Sequence, residues 1–145
     1  MKYTRFILIG LIVVVSVLFV MTRNKQDPSP QQQVNESRFE TQSDEQGQVS
    51  IKVTPQVSNG AQWKFNIVFD THSVDLNHDL LQIAVLADDQ GNIYKPTLWE
   101  GPGPGGHHRE GVLIFESISS TTSFVELRIK NVAGVPERLF KWRIK

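Results

Sequence analysis

At 145 residues, with no cysteine and a formal net charge of zero, the chain has room for one modest domain and an appendage. Its fifteen Lys and Arg are scattered among fifteen Asp and Glu, so no long-range positive field would draw in phosphates, and no nucleic acid partner is expected. Without cysteine there is no disulfide framework, no thiolate ligand or nucleophile, and no lipobox cysteine of the kind a bacterial lipoprotein needs after its leader.

From Phe6 to Met21 runs an uninterrupted set of sixteen apolar or small residues, preceded by Lys2 and Arg5 and followed by Arg23 and Lys25. As a helix this run covers roughly 24 Å, somewhat short of a hydrocarbon core of about 30 Å. Tyr3 at headgroup level and the long stems of Lys2, Arg5 and Arg23 close the gap. A cleaved leader is the rival reading, but Val20, Met21, Thr22 and Arg23 offer no A-x-A-like site. Residues 1–23 are therefore expected to be an uncleaved single-pass anchor, in the membrane through residues 6–22, with the rest of the chain extracytoplasmic. Residues 24–46 are almost all polar and include Pro28, Pro30 and the Gln31-Gln32-Gln33 run. Such a segment cannot bury enough apolar surface to offset its ordering entropy, so a disordered stalk is expected there.

Residues 47–145 carry a period-two pattern. Val49, Ile51 and Val53 alternate with Ser50, Lys52 and Thr54, and Trp63, Phe65, Ile67 and Phe69 alternate with Lys64, Asn66 and Val68, which predicts two half-buried strands. Ser58-Asn59-Gly60 suits the tight turn between them. Further strands are expected at Leu81 to Ala87, Asn92 to Lys95, Val112 to Phe115, Phe124 to Lys130 and Arg138 to Ile144, with Asp88-Asp89-Gln90-Gly91 as a turn. Phe140, Trp142 and Ile144 should face the core. About seven short strands without helical periodicity predict an all-β fold, an immunoglobulin-like antiparallel sandwich, with a barrel as the alternative.

Two segments depart from ordinary sandwich sequence: Asp70 to Asp79 (DTHSVDLNHD) and Trp99 to Gly111 (WEGPGPGGHHREG), which together hold all four histidines. Each lies between strands, and loops at one end of a sandwich can converge. The stretches Asp70 to Leu76, Trp99 with Gly101, and Gly105 to Gly111 resemble a domain that recurs in uncharacterised membrane-anchored or secreted bacterial proteins, with D-T-H-S-V-D-L, W-x-G and G-G-H-H-x-x-G motifs. That resemblance implies that the motifs belong together; it implies no activity.

Clustered imidazoles beside carboxylates point to a metal site. Neutral imidazole is a common ligand for Zn(II) and Cu(II), and a nearby carboxylate completes the shell or orients the ring. The expected ligands are His72, His107 and His108, with Asp70 or Asp75 as carboxylate partner. Methionine occurs only at Met1 and Met21, so neither a blue-copper centre nor a thioether site is available to the domain. On a regular strand His107 and His108 would point to opposite faces, a restriction loosened by Gly105-Gly106. The bland counterpart is a long Gly/Pro connection with solvent-exposed histidines, and no H-E-x-x-H or zinc-finger spacing argues against it.

Catalysis is not expected: Ser73 beside His72 lacks a nucleophile elbow. The loop Gly101 to Gly106 lacks the end of a phosphate loop, and Asp88 to Asn92 lacks the closing Glu of a calcium loop. Two readings remain. One is a metal-binding module for Zn(II) or Cu(II); the other is a non-catalytic module whose loop end, displaying Trp99 and Arg109, docks an envelope protein.

Overall fold

The computed structural model describes residues 39–57, 62–118 and 122–144. The apolar run at 6–21, the stalk up to residue 38 and the turn at Ser58-Asn59-Gly60 lie outside them. Among the described residues no helix is long and apolar enough to cross a membrane.

The domain is all-β, with nine strands among the described residues: β1 (Gln42–Asp44), β2 (Val49–Val57), β3 (Gln62–Thr71), β4 (Ala84–Asp88), β5 (Ile93–Tyr94), β6 (Leu98–Glu100), β7 (His108–Glu116), β8 (Phe124–Val132) and β9 (Val135–Arg143). They form two antiparallel sheets, one of order β1-β2-β3-β7-β6 and one of order β5-β4-β8-β9. The alternating residues turn one face of each sheet inward. Ile51, Val53, Phe65, Ile67, Leu113 and Phe115 from the first meet Leu86, Leu127, Ile129, Phe140 and Trp142 from the second in a single core. Phe65 and Trp142 bridge the sheets with ring centroids 5.4 Å apart. Burying such side chains, at roughly 1.5–3 kcal/mol each, is the main force holding the layers together.

Three expectations need correction. The segment Leu81 to Ala87 is not all strand: Leu80–Ile83 form a single helical turn, α1, capped by the Asp79 carboxylate accepting from the Leu81 N–H at 3.0 Å. Leu80 is driven into the core, and a cap of this kind favours the turn locally. The strand expected at Val112 to Phe115 begins at His108, so the second histidine of the pair stands on the sheet.

The third correction concerns the boundary of the domain, which starts before residue 47. Phe39 packs edge-on against Trp63 with centroids 5.9 Å apart. β1 pairs with β2, yet its side chains reach the opposite sheet. The Gln42 amide donates to the Lys141 carbonyl at 2.6 Å and accepts from the Lys141 N–H at 3.0 Å. The fully buried Arg138 donates to the Asp44 carboxylate, to the Val49 carbonyl at 3.0 Å and to the Gln46 carbonyl at 2.6 Å. Composition marked this stretch as polar, but its polar groups answer donors and acceptors on β9 that the rest of the fold leaves unmatched.

Candidate functional site

β3 ends and β7 begins at the same end of the five-stranded sheet, with Asp70 directly opposite His108. The two unusual segments leave the sheet there and fold on each other. The Thr71 N–H donates to the His107 carbonyl at 2.9 Å, the Leu76 N–H to the Gly106 carbonyl at 3.0 Å, and the Gly105 N–H to the Leu76 carbonyl at 3.0 Å. Gly105 and Gly106 have φ values of 122° and 74°, in the left-handed region that glycine enters without steric cost. Thr71 closes the other side, donating to the Gln48 carbonyl at 2.7 Å and accepting from the N–H groups of Ser73 and Val74. Leu76 inserts into the core.

The centre of this loop cluster is Arg109, only 3% exposed. Its guanidinium donates to the carbonyls of Leu76 at 3.0 Å, His78 at 2.7 Å and Pro102 at 3.2 Å. The Trp99 ring lies 5.7 Å from the guanidinium carbon, and its indole N–H donates to the same Pro102 carbonyl at 2.8 Å. Burial lowers the Arg109 pKa, opposed by the negative charge of Asp79. The side chain stays cationic, because a guanidinium does not deprotonate in proteins. The glycines around Trp99 are needed for its seat. A Cβ on Gly101 would lie 2.6 Å from Trp99 Cζ2, and one on Gly111 would lie 2.5 Å from the Glu100 carbonyl oxygen.

The expectation that the loop end displays Trp99 and Arg109 is thus overturned. Trp99 is half-buried against the core and Arg109 is buried. The pattern already contained the clue: Arg109 shares its strand face with Gly111 and the core residue Leu113, and lies opposite the core residue Phe69.

The expected metal ligands sit on the outside of this scaffold. His108 Nδ1 lies 2.6 Å from Asp70 Oδ1, and His107 Nε2 lies 4.0 Å from Asp75 Oδ1. All four side chains are at least half exposed, between 50% and 62%. His72 is exposed, and His78 lends its backbone carbonyl to Arg109. The structure brings Asp70, Asp75, His107 and His108 together as two carboxylate–imidazole pairs. Among the described residues no three His, Asp or Glu side chains form a group able to hold a metal ion. With Nδ1–H donated to Asp70, a neutral His108 ring presents its Nε2 lone pair away from the carboxylate, the arrangement by which carboxylates orient metal-binding histidines.

A separate acidic turn has a plain structural use. The Asp88 carboxylate accepts from the N–H groups of Gln90 and Asn92, from the Asn92 amide and from the Tyr94 hydroxyl at 2.8–3.0 Å. Desolvation raises its pKa, but these four donors outweigh it and leave the value below that of an ordinary carboxyl. Compared with known protein families, curated proteins and solved structures, the chain matches none.

Proposed function

We propose that the domain is a non-catalytic, extracytoplasmic binding module of immunoglobulin-like type, tethered to a membrane by residues 6–22, that captures a divalent transition metal, Zn(II) or Cu(II), at its loop end. His108 is the leading ligand through Nε2, with Asp70 as the carboxylate that orients it; His107, Asp75 and His72 are the further donors. The observation that carries the reading is the Asp70–His108 hydrogen bond of 2.6 Å on an exposed sheet end. A subtraction supports it. Thr71, Leu76, Trp99, Gly101, Arg109 and Gly111 are accounted for by packing and backbone hydrogen bonds, whereas no such requirement accounts for the exposed histidines and their aspartates. Because three donors are not already grouped, binding requires exposed side chains to rotate, at a cost of about 0.5–1.5 kcal/mol for each one immobilised.

The second reading is a docking module for an envelope protein. It is favoured by the same pairing, since Asp70 and His108 satisfy each other without a metal, on a loop cluster that Arg109 holds in one conformation. Thermal unfolding of the untagged, metal-stripped full chain separates the two. Zn(II) or Cu(II) at a hundredfold excess over Kd should stabilise the folded state by about 2.7 kcal/mol. The rise should vanish in a His72→Ala, His107→Ala, His108→Ala triple variant. An unchanged midpoint in the wild type would remove the metal reading and favour docking.

A further inference from the structure

The zero net charge hides an asymmetry between the two sheets. On the outer face of the four-stranded sheet, Arg128, Lys130, Lys141 and Arg143 stand against two carboxylates, Glu126 and Glu137. On the outer face of the five-stranded sheet, Lys52 and Lys64 are outnumbered by Asp70, Glu100, Glu110 and Glu116. One side of the sandwich is basic and the other acidic.

The basic face is not neutralised from within. Arg128 pairs with Glu126 at 2.8 Å and Lys130 with Glu137 at 3.7 Å, which uses both carboxylates. Lys141 lies over the Phe124 ring at 3.5 Å, a contact that leaves its charge in place. Neither Lys141 nor Arg143 makes an ion pair among the described residues. The same face carries Ile93 and Leu139, each 54% exposed and the most exposed large apolar side chains among the described residues. Leu139 stands opposite Arg128, between Lys141 and Glu137 along β9. Ile93 stands opposite Ala87, which in turn faces Glu126. Basic side chains lay their stems along apolar surface while their charged ends reach outward. Around an exposed leucine, that combination fits the boundary of an anionic bilayer, with phosphates at the cations and the apolar group just below them.

The point at which the chain enters the domain favours the same side. Gln42 exchanges two hydrogen bonds with the Lys141 main chain, and the Glu40 carbonyl accepts from the Trp142 indole at 2.8 Å. The entering segment therefore lies beside β9, the edge strand of the basic sheet. Sixteen residues, 23–38, separate it from the proposed anchor, and even fully extended they span at most about 55 Å. A tether of that reach keeps the basic face at high effective concentration over the lipid.

Building on the membrane tether proposed above, we infer that the outer face of the four-stranded sheet is a docking surface for anionic lipid. Lys141 and Arg143 meet headgroup phosphates and Leu139 enters the interface between them. The acidic sheet, with Asp70 and His108 at its end, then faces the aqueous compartment.

The chain has no cysteine, so Leu139→Cys and Lys52→Cys each carry a single nitroxide, one on each face of the full chain. In vesicles of equimolar phosphatidylcholine and phosphatidylglycerol, the label at 139 should lose most of its collisions with a water-soluble nickel chelate, and the label at 52 should keep them. The protection should disappear in vesicles of phosphatidylcholine alone, and in about 1 M salt, where the screening length falls to about 3 Å. Adding Lys141→Gln and Arg143→Gln should remove it too, with the far-ultraviolet circular dichroism unchanged. Equal exposure of the two labels on anionic vesicles would overturn the inference, and so would protection at 139 that persists on neutral lipid. An alkaline carbonate wash reads the tether separately. A chain that stays with the vesicles while residue 139 is exposed keeps the tether and loses the docking face; a chain that the wash releases loses the tether, even where its label was protected before the wash.

Discussion

The domain buries two arginines, one at each of two seams, and they are held differently. Arg138 joins β9 to the segment that enters the domain, and its guanidinium meets a carboxylate, Asp44, as well as the main-chain carbonyls of Asp44, Gln46 and Val49. Arg109 joins the two loop segments and meets three carbonyls with an aromatic face nearby, with no ion-pair partner among the described residues. At both, the Nε atom is buried without a partner. The difference is instructive because a buried charge is costly unless compensated. At the β1 seam the compensation is a formal opposite charge. At the loop seam it is the sum of peptide dipoles together with the unpaired charge of Asp79, and the dipoles tie the geometry of three loop residues to one side chain. The first seam is built to hold the sheets; the second is built to hold a shape.

The largest expected effect comes from breaking the ion pair on one side. Asp44→Ala leaves the Arg138 guanidinium buried without its anion and should cost about 3 kcal/mol in chemical denaturation. Adding Arg138→Met should recover part of that loss, because the stranded charge goes with it. A double variant no better than Asp44→Ala alone would mean that packing, and not charge, sets the cost.

At the loop seam, Arg109→Met retains much of the apolar stem but strands the carbonyls of Leu76, His78 and Pro102. A cost of about 2 kcal/mol is expected, accompanied by a red shift of tryptophan emission as Trp99 loses its cover. In that variant His107 and His108 should lose their fixed relation to Asp75 and Asp70, so any zinc-dependent stabilisation should shrink. Unaltered fluorescence and zinc response would show that the loops hold their shape without the guanidinium.

The smallest expected effect is graded with pH. Desolvation raises the pKa of Asp44, but hydrogen bonds from Gln46 together with the charge and hydrogen bond of Arg138 more than reverse this, and the net shift is downward. Asp88 is lowered in the same net sense by its four donors. A carboxyl whose folded value lies below its unfolded value takes up protons first in the unfolded chain. The stability it contributes is complete above the unfolded value, near 4, and drains away as pH falls through the folded value. The stability these two carboxyls supply should therefore be constant from neutral pH to about 5 and decline below about 4. Asp88→Asn should flatten part of that decline, and an acid limb identical to the wild type would assign the loss to other groups.

The sequence by itself determined the class of fold and most of the core. Period two in Val49 to Val53, Trp63 to Phe69, Phe124 to Lys130 and Arg138 to Ile144 is a local property of strands with one buried face, and it placed Phe65, Phe140 and Trp142 correctly. It also marked the two segments that meet at one end, because their glycines and histidines fit no strand. Only the tertiary structure decided the rest. β1 is polar and carries no periodic signal; it is ordered by Arg138 and Lys141, roughly a hundred residues away in the chain, and a long-range acceptor leaves no trace in local composition. Arg109 looked like a surface charge because its partners are backbone carbonyls, which every residue has and no sequence displays. The pairing of Asp70 with His108 and of Asp75 with His107 likewise arose from strand register and loop docking, and these follow from how the whole core packs, not from any one segment.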